Sequence, residues 1–158
     1  AVKKLHLILL ALVATGVTAY VALQLFTTDR ERVARVVQRL ARRIGKRDAA
    51  GFCYYFAEDY RDSNGHNRAS LRELLSRGLP PLGSVSVILS EMQIEVKGGE
   101  PKTARAEFDG RVVARSRGRD DLPPWRWQSR VRLHLRKLDG EWRVAEADYR
   151  MPDYMRLE

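Results

Sequence analysis

The stretch WRWQSRVRLHLRKL, which begins at residue 125, alternates apolar and polar side chains over most of its length. A period of two predicts a β-strand that buries one face and leaves the other in solvent. The apolar face carries Trp125, Trp127, Val131, Leu133 and Leu135, and the polar face carries Arg126, Gln128, Arg130, Arg132, His134 and Arg136. Asp139-Gly140 then predicts a tight turn into EWRVAEADY, which returns as the last strand.

The rest of the second half also has the composition of strands. Residues 85–96 are rich in β-branched and apolar side chains, and residues 104–108 alternate small or aromatic residues with polar ones. Gly98-Gly99 lies between the two stretches and predicts a hairpin. We therefore expect a sheet beyond Gly83.

The first half has helical periodicity instead. Thr28 and Glu31 have the spacing of a capping box, and apolar residues then recur at intervals of three and four until Gly45. The apolar stripe consists of Val33, Val36, Val37, Leu40 and Ile44. This pattern predicts an amphipathic helix with arginines on the opposite face.

Two further helices are expected before the sheet. Asp48 can cap a helix over residues 49–56, and a short strand that contains Tyr60 follows it. Ser70 and Glu73 repeat the capping-box spacing and predict the start of a third helix, which stops at Gly78.

This order of elements resembles the nuclear transport factor 2-like (SnoaL-like) superfamily. The resemblance rests on three helices, a sheet and the closing hairpin LHLRKLDGEWRVAEADY, and it extends from Thr28 to Tyr149. It implies an α+β fold in which about three helices pack on a curved, mostly antiparallel sheet to form a cone. The superfamily contains isomerases, dehydratases and hydrolases that work in the cone's cavity. It also contains non-catalytic members, some of which one N-terminal transmembrane helix anchors within larger envelope assemblies.

The front of the chain is long and apolar. No side chain from Leu5 to Thr28 is charged, and at about 1.5 Å per residue this run is long enough to cross roughly 30 Å of bilayer hydrocarbon. We expect a tail and transmembrane helix over residues 1–27, the α+β domain over residues 28–150 and a C-terminal tail over residues 151–158. The expected anchor residues are Leu9, Leu10, Val13, Tyr20 and Phe26.

The alternative for this segment is a cleaved signal peptide. Lys3 and Lys4 form a basic front, and Val17-Thr18-Ala19 is an acceptable cleavage site. An anchor is favoured because the apolar part of a signal peptide runs only about 7 to 15 residues.

The charges on either side of the span predict opposite orientations. Lys3 and Lys4 favour a cytoplasmic N-terminus, whereas the arginines from residue 30 to residue 43 favour a cytoplasmic domain. Long domains cross largely regardless of their charge, so we expect a single-pass protein with its domain on the periplasmic side.

The formal net charge is +9, and a basic excess attracts anionic lipid headgroups, acidic proteins or nucleic acid. For a membrane-tethered domain we expect membrane lipid and other subunits of a membrane protein complex. Nucleic acid is disfavoured because the arginines and tryptophans of residues 125–136 point to opposite faces, which separates charge from stacking. The expected interface residues are Arg32, Arg35, Arg39, Arg42, Arg43, Arg130, Arg132 and Arg136.

A catalytic alternative uses Asp62, His66 and Tyr60. A carboxylate beside an imidazole can abstract a proton next to a carbonyl when an apolar environment raises its pKa. Asp62 and His66, however, flank a Ser-Asn-Gly turn, where such residues ordinarily bond to the backbone. The sequence has no phosphate-binding glycine loop, zinc-site spacing or nucleophile elbow. We therefore expect no catalytic residue, no metal and no cofactor.

Together these features predict a membrane-anchored structural or accessory subunit, which docks onto and stabilises a larger membrane protein complex. The alternative is a membrane-tethered isomerase or lyase, or a ligand-binding module, that uses the cavity of the cone.

Overall fold

The computed structural model describes residues 13–17 and 28–151. Residues 13–17 are helical, and residues 28–151 form three helices and five strands. The helices are α1 (Asp29–Gly45), α2 (Ala49–Cys53) and α3 (Arg68–Gly78). The strands are β1 (Phe56–Asp62), β2 (Leu82–Lys97), β3 (Thr103–Ser116), β4 (Trp125–Leu138) and β5 (Glu141–Asp148).

The strands form one sheet in the spatial order β1-β5-β4-β3-β2. Neighbouring strands are antiparallel except β1 and β5, which are parallel. The register of β2 against β3 shifts between Ser90 and Gln93, and Glu91 has a φ of 52° there. Such bulges bend and twist a strand. The predicted α+β fold, with helices on a curved and mostly antiparallel sheet, is confirmed.

The helix α1 forms where the apolar stripe predicted it. Thr28 is its N-cap, and the Thr28 hydroxyl accepts a hydrogen bond from the Glu31 amide at 3.3 Å. Val33, Val36, Val37 and Leu40 are buried against the rest of the domain.

The boundaries of the other two helices differ from the prediction. The second helix ends at Cys53, because the chain turns there and Phe56 already begins β1. The third helix is capped by Asn67, not by Ser70. The Asn67 side chain accepts from the Ser70 amide at 2.8 Å, and the Ser70 hydroxyl accepts from the Asn67 amide at 2.9 Å. Ser70 therefore closes a capping box from the third helical position, where Glu or Gln usually stands.

The core lies between the helices and the face of the sheet that they cover, which we call the inner face. Of the predicted apolar face of β4, Val131, Leu133 and Leu135 are buried, whereas the two tryptophans are half-buried. The Tyr60 ring meets the Phe56 ring edge-on, with 4.6 Å between centroids. Fully burying an apolar side chain of this size stabilises a fold by roughly 1.5–3 kcal/mol, so this packed interior supplies most of the stability.

The predicted membrane anchor lies almost entirely outside the described residues. Leu9, Leu10, Tyr20 and Phe26 fall there, and Val13 belongs to the helical residues 13–17. Among the residues that the structure describes, no helix is long and apolar enough to span a bilayer. The described chain ends at Met151, which is buried although it opens the predicted tail.

Candidate functional site

Tyr60, Asp62, His66 and Tyr149 form a hydrogen-bonded group, here called the Asp62 cluster. Asp62 is the last residue of β1, and its side chain is fully enclosed. Its oxygen Oδ1 accepts the backbone amides of Asn64 and His66, each at 2.9 Å. These two bonds fix the turn between β1 and α3, so this oxygen serves the backbone, as turn aspartates commonly do.

The second oxygen, Oδ2, accepts three side-chain donors. They are the Tyr149 hydroxyl at 2.8 Å, His66 Nδ1 at 3.2 Å and the Tyr60 hydroxyl at 3.4 Å. Burial raises the pKa of Tyr60 and of Tyr149, and the negative charge of Asp62 raises both further. Both phenols therefore stay protonated at neutral pH and donate to the carboxylate.

Solvent reaches His66, since 24% of its side chain is exposed. Its Nδ1 lies against Asp62, and its Nε2 has no partner within residues 13–17 and 28–151. A carboxylate on Nδ1 favours the tautomer in which Nε2 can accept a proton. The structure thus brings together all three residues of the predicted catalytic alternative.

Tyr149 is the member of the cluster that sequence reasoning missed. It directly follows β5, and the parallel pairing of Asp62 with Ala147 sets the ends of β1 and β5 side by side. Its only signal in the sequence is an aromatic residue at the end of the closing hairpin. Nothing in the pattern of β1 indicates that β5 is its neighbour.

The outer face of the sheet carries the arginines of β4, and acidic neighbours pair with three of them, Arg130, Arg132 and Arg136, in what we call the ion-pair ladder. Arg130 contacts Asp109 at 3.1 Å and Glu107 at 3.3 Å. The hydrogen bond from Arg130 holds the pKa of Glu107 below its usual range. The remaining contacts join Arg132 to Asp148 and to Glu107, Arg130 to Glu91, and Arg136 to Asp59.

The arginines of α1 have a different environment. Arg43 pairs with Asp48 at 2.7 Å, and the same carboxylate caps α2 by accepting the Gly51 amide at 2.8 Å. That bond to Gly51, with Arg43 beside it, lowers the pKa of Asp48. The other four predicted interface residues of this helix have no acidic partner among the described residues, and we call them the α1 arginine face. They are Arg32, Arg35, Arg39 and Arg42.

Two concave regions lie elsewhere on the domain. One, of about 530 Å³, runs between α1 and β2. The other, of about 440 Å³, is on the outer face of the sheet beside His134 and Arg136. Neither is lined by a member of the Asp62 cluster. Among residues 13–17 and 28–151, no group of three or more His, Cys, Asp and Glu side chains is placed to hold a metal ion.

The sequence profile of the SnoaL-like domain matches residues 26–148. No curated protein matches the chain. Among solved structures, one from Novosphingobium aromaticivorans with a provisional scytalone dehydratase assignment has a TM-score of 0.67 at 15% identity, over 77% of this chain and 82% of that one.

Two further structures have the same fold. One is a nuclear transport factor 2-like protein with a cystatin-like fold from Novosphingobium aromaticivorans, with a TM-score of 0.62 and 21% identity over 88% of this chain and 90% of that one. The other is a nuclear transport factor 2-like superfamily protein from Salmonella enterica, with a TM-score of 0.63 and 17% identity over 78% and 90%.

Proposed function

The chain belongs to the SnoaL-like domain family, and from this premise we propose that it is a non-catalytic accessory subunit that docks onto and stabilises a larger membrane protein complex. In this proposal residues 1–27 anchor the domain, and the domain lies on the periplasmic side. Its partners are membrane lipid and the acidic surfaces of neighbouring subunits.

The observation that carries the proposal is the α1 arginine face. Arg35 and Arg39 are one helical turn apart, and like charges at this spacing destabilise a helix. Glu31, one turn before Arg35, is the nearest carboxylate along the helix, but neither Arg35 nor Arg39 forms an ion pair among the described residues. A row of unpaired guanidinium groups attracts an anionic partner over a distance and fixes its position on contact.

The bonding of Asp62 supports the non-catalytic part of the proposal. Five donors already occupy its two oxygens, and its side chain is enclosed. A substrate would have to displace one of them, and each donor left unsatisfied in the interior costs about 1–3 kcal/mol. The carboxylate is therefore better suited to hold the turn than to abstract a proton.

Depletion of the chain from its native membranes tests the proposal. In mild-detergent extracts we expect one membrane complex to become smaller or to dissociate, and we expect the full chain to restore it. A His66→Gln chain is the control and must restore the complex equally, because the proposal gives His66 no chemical role. Complexes of unchanged size in depleted membranes would refute the accessory role.

The second candidate is an isomerase or lyase, and the contact between Asp62 and His66 favours it. In this alternative His66 Nε2 removes a proton next to a carbonyl of a small substrate, while Asp62 orients the ring and stabilises the imidazolium. The provisional dehydratase assignment of one structural neighbour is consistent with such chemistry. The test is turnover of hydroxy-ketone substrates by the full chain, which His66→Gln must abolish and Glu58→Gln must leave unchanged.

A further inference from the structure

The strand β2 lies at the edge of the sheet, and β3 is its only neighbour among the described strands. The Lys137 amide donates to the Lys102 carbonyl, which identifies the residues of β4 whose backbone faces β3. Backbone direction alternates along each antiparallel strand. We apply this alternation first to the register of β4 with β3 and then to the register of β3 with β2. The amides and carbonyls of Val85, Val87 and Leu89 then point away from the sheet.

These outward groups have no hydrogen-bond partner within the described part of the chain. They open into the groove of about 530 Å³ that separates β2 from the C-terminal half of α1. The Val85 carbonyl oxygen lies 3.6 Å from the position that a β-carbon on Gly45 would take, which is van der Waals contact, so the end of α1 covers this carbonyl. The Val85 amide and the outward groups of Val87 and Leu89 are the part of the edge that borders the groove. Unpaired edge groups of this kind can template an additional strand.

The Arg47 side chain donates to the Leu82 and Gly83 carbonyls at the start of β2, whereas the edge beyond them lacks the usual protection against pairing. Natural edge strands carry lysine, proline or a bulge that prevents another strand from adding. Residues 84–90, SVSVILS, contain no charge and no proline, and the two register shifts of β2 lie on either side of them, between Leu82 and Ser84 and between Ser90 and Gln93. On the outer side of this segment the Ile88 side chain is 51% exposed.

The charge of the groove identifies its occupant. Its helical wall consists of Gln38, Ala41, Arg42, Gly45 and Lys46, so it has two cations and no acidic residue. Ala41 is small and leaves space for the side chains of an added strand. A second copy of this chain would bring two sets of these cations together and would add the uncharged segment SVSVILS, so charge favours an acidic strand from another protein.

We propose that an extended, acidic segment of a partner adds to the free edge of β2 and hydrogen-bonds to Val85, Val87 and Leu89. Its acidic side chains lie beside Arg42 and Lys46, and its apolar side chains cover Ala41 and Gly45. At about 3.3 Å per residue, the three outward-facing residues and those between them offer roughly 17 Å of edge. This inference rests on the proposed docking function and names the surface and the kind of segment that it uses.

The test measures binding of a fluorescent peptide that alternates valine and glutamate to the full chain in mild detergent. Val87→Pro removes an outward amide and leaves the ladder to β3 intact, since proline is tolerated at such edge positions. We expect binding to weaken about tenfold or more, because a hydrogen bond is lost and the ring obstructs the edge. Val87→Thr keeps the amide and a similar shape, and it must bind as the unchanged chain does.

Two further measurements do not depend on the proline variant. A peptide with N-methyl groups on alternate amides cannot form the ladder and must lose binding to the unchanged chain. The double variant Arg42→Gln, Lys46→Gln must weaken binding and reduce its dependence on salt, since exposed ion pairs are screened by added ions.

Three results would overturn the inference: no binding by the unchanged chain, equal binding by Val87→Pro, or self-association of the chain that Val87→Pro abolishes. The last result would assign the edge to a second copy. The size of the complex in depleted membranes is measured without the peptide, so a failure of this inference can be told apart from a failure of the docking function.

Discussion

The side of the domain built from β1, β5 and β4 pairs the Asp62 carboxylate and most of its arginines internally, whereas the side built from α1 and β2 leaves four arginines and the outward groups of a strand edge unpaired among the described residues. On the first side five donors reach the Asp62 carboxylate, and the ion-pair ladder pairs Arg130, Arg132 and Arg136 of β4 with carboxylates. On the second side the α1 arginine face has no acidic partner and the edge of β2 has no strand beside it, within the described residues. We call the first the closed side and the second the open side. A partner gains the most binding free energy on the open side, where polar groups still lack partners.

Residue type does not distinguish the two sides, because both are rich in arginine. Neighbours do. In the sheet, Arg130 is directly opposite Asp109, and Arg132 is directly opposite Glu107. On α1, Glu31 and Arg32 lie one turn before Arg35 and Arg39 lies one turn after it, and none of these arginines forms an ion pair among the described residues. Substitutions on the closed side should therefore change the free energy of unfolding, and substitutions on the open side should change binding to a partner.

The largest effect on stability is expected at Asp62. Asp62→Ala leaves two backbone amides and the Tyr149 hydroxyl without an acceptor, and it should lower the free energy of unfolding by about 3 kcal/mol. Denaturant unfolding of the full chain in detergent measures this. Glu58→Ala, at an exposed position on the same strand, should change the value by less than about 0.5 kcal/mol. Similar values for the two variants would show that the Asp62 cluster does not stabilise the fold.

A smaller effect is expected at Asp29, the first residue of α1, whose side chain accepts hydrogen bonds from Lys137 of β4 and Trp142 of β5. Hydrogen bonds from Lys137 first, and also from Lys102 and Trp142, lower the pKa of Asp29 to about 2. A lowered pKa stabilises the fold above the unfolded-state value near 4 and loses that effect as pH falls toward 2. Asp29→Asn should therefore cost about 1 kcal/mol at pH 7, after allowance for solvent screening.

Unfolding of the Asp29→Asn chain at several pH values tests this. The difference from the unchanged chain should shrink between about pH 4 and pH 2. A difference that stays constant over this range would mean that the ion pairs of Asp29 do not contribute.

The smallest change in the free energy of unfolding is expected from removing arginines. Its sign should differ between the two sides. Arg35→Gln with Arg39→Gln relieves repulsion along α1 and should raise the free energy of unfolding by about 0.2–0.5 kcal/mol. Arg130→Gln removes partners from Asp109 and Glu107 and should lower the unfolding midpoint. Equal shifts in the same direction would remove the distinction between the two sides.

Local patterns in the sequence predicted much of this fold. The stripe from Val33 to Ile44 predicted α1, and the alternation around Leu133 predicted β4 and its buried face. Asp139-Gly140 predicted the last hairpin, in which both turn residues have positive φ. Each of these features depends on neighbours within a few residues, so the local sequence is enough to predict it.

The candidate site was less predictable because it depends on distant pairings. Asp62, His66 and Tyr60 are close in sequence and were found together, but Tyr149 joins them only through the parallel pair of β1 and β5. The partners of Arg130 and Arg132 depend on the register of β3 with β4, which a loop of irregular sequence connects. The sequence pattern indicates which side chains are exposed but not which have acidic partners. It therefore placed the arginines of the ion-pair ladder and of the α1 arginine face in one predicted interface.

The most direct test of the central claim is recovery of the native membrane complex with the chain that carries Arg35→Gln and Arg39→Gln. Arg77→Gln is the matched control, because Arg77 lies on α3 and is exposed beside its partner Glu73. We predict that the double variant folds but no longer co-elutes with the complex, while the Arg77→Gln chain does. Co-elution of the double variant at the unchanged level would contradict docking through the open side.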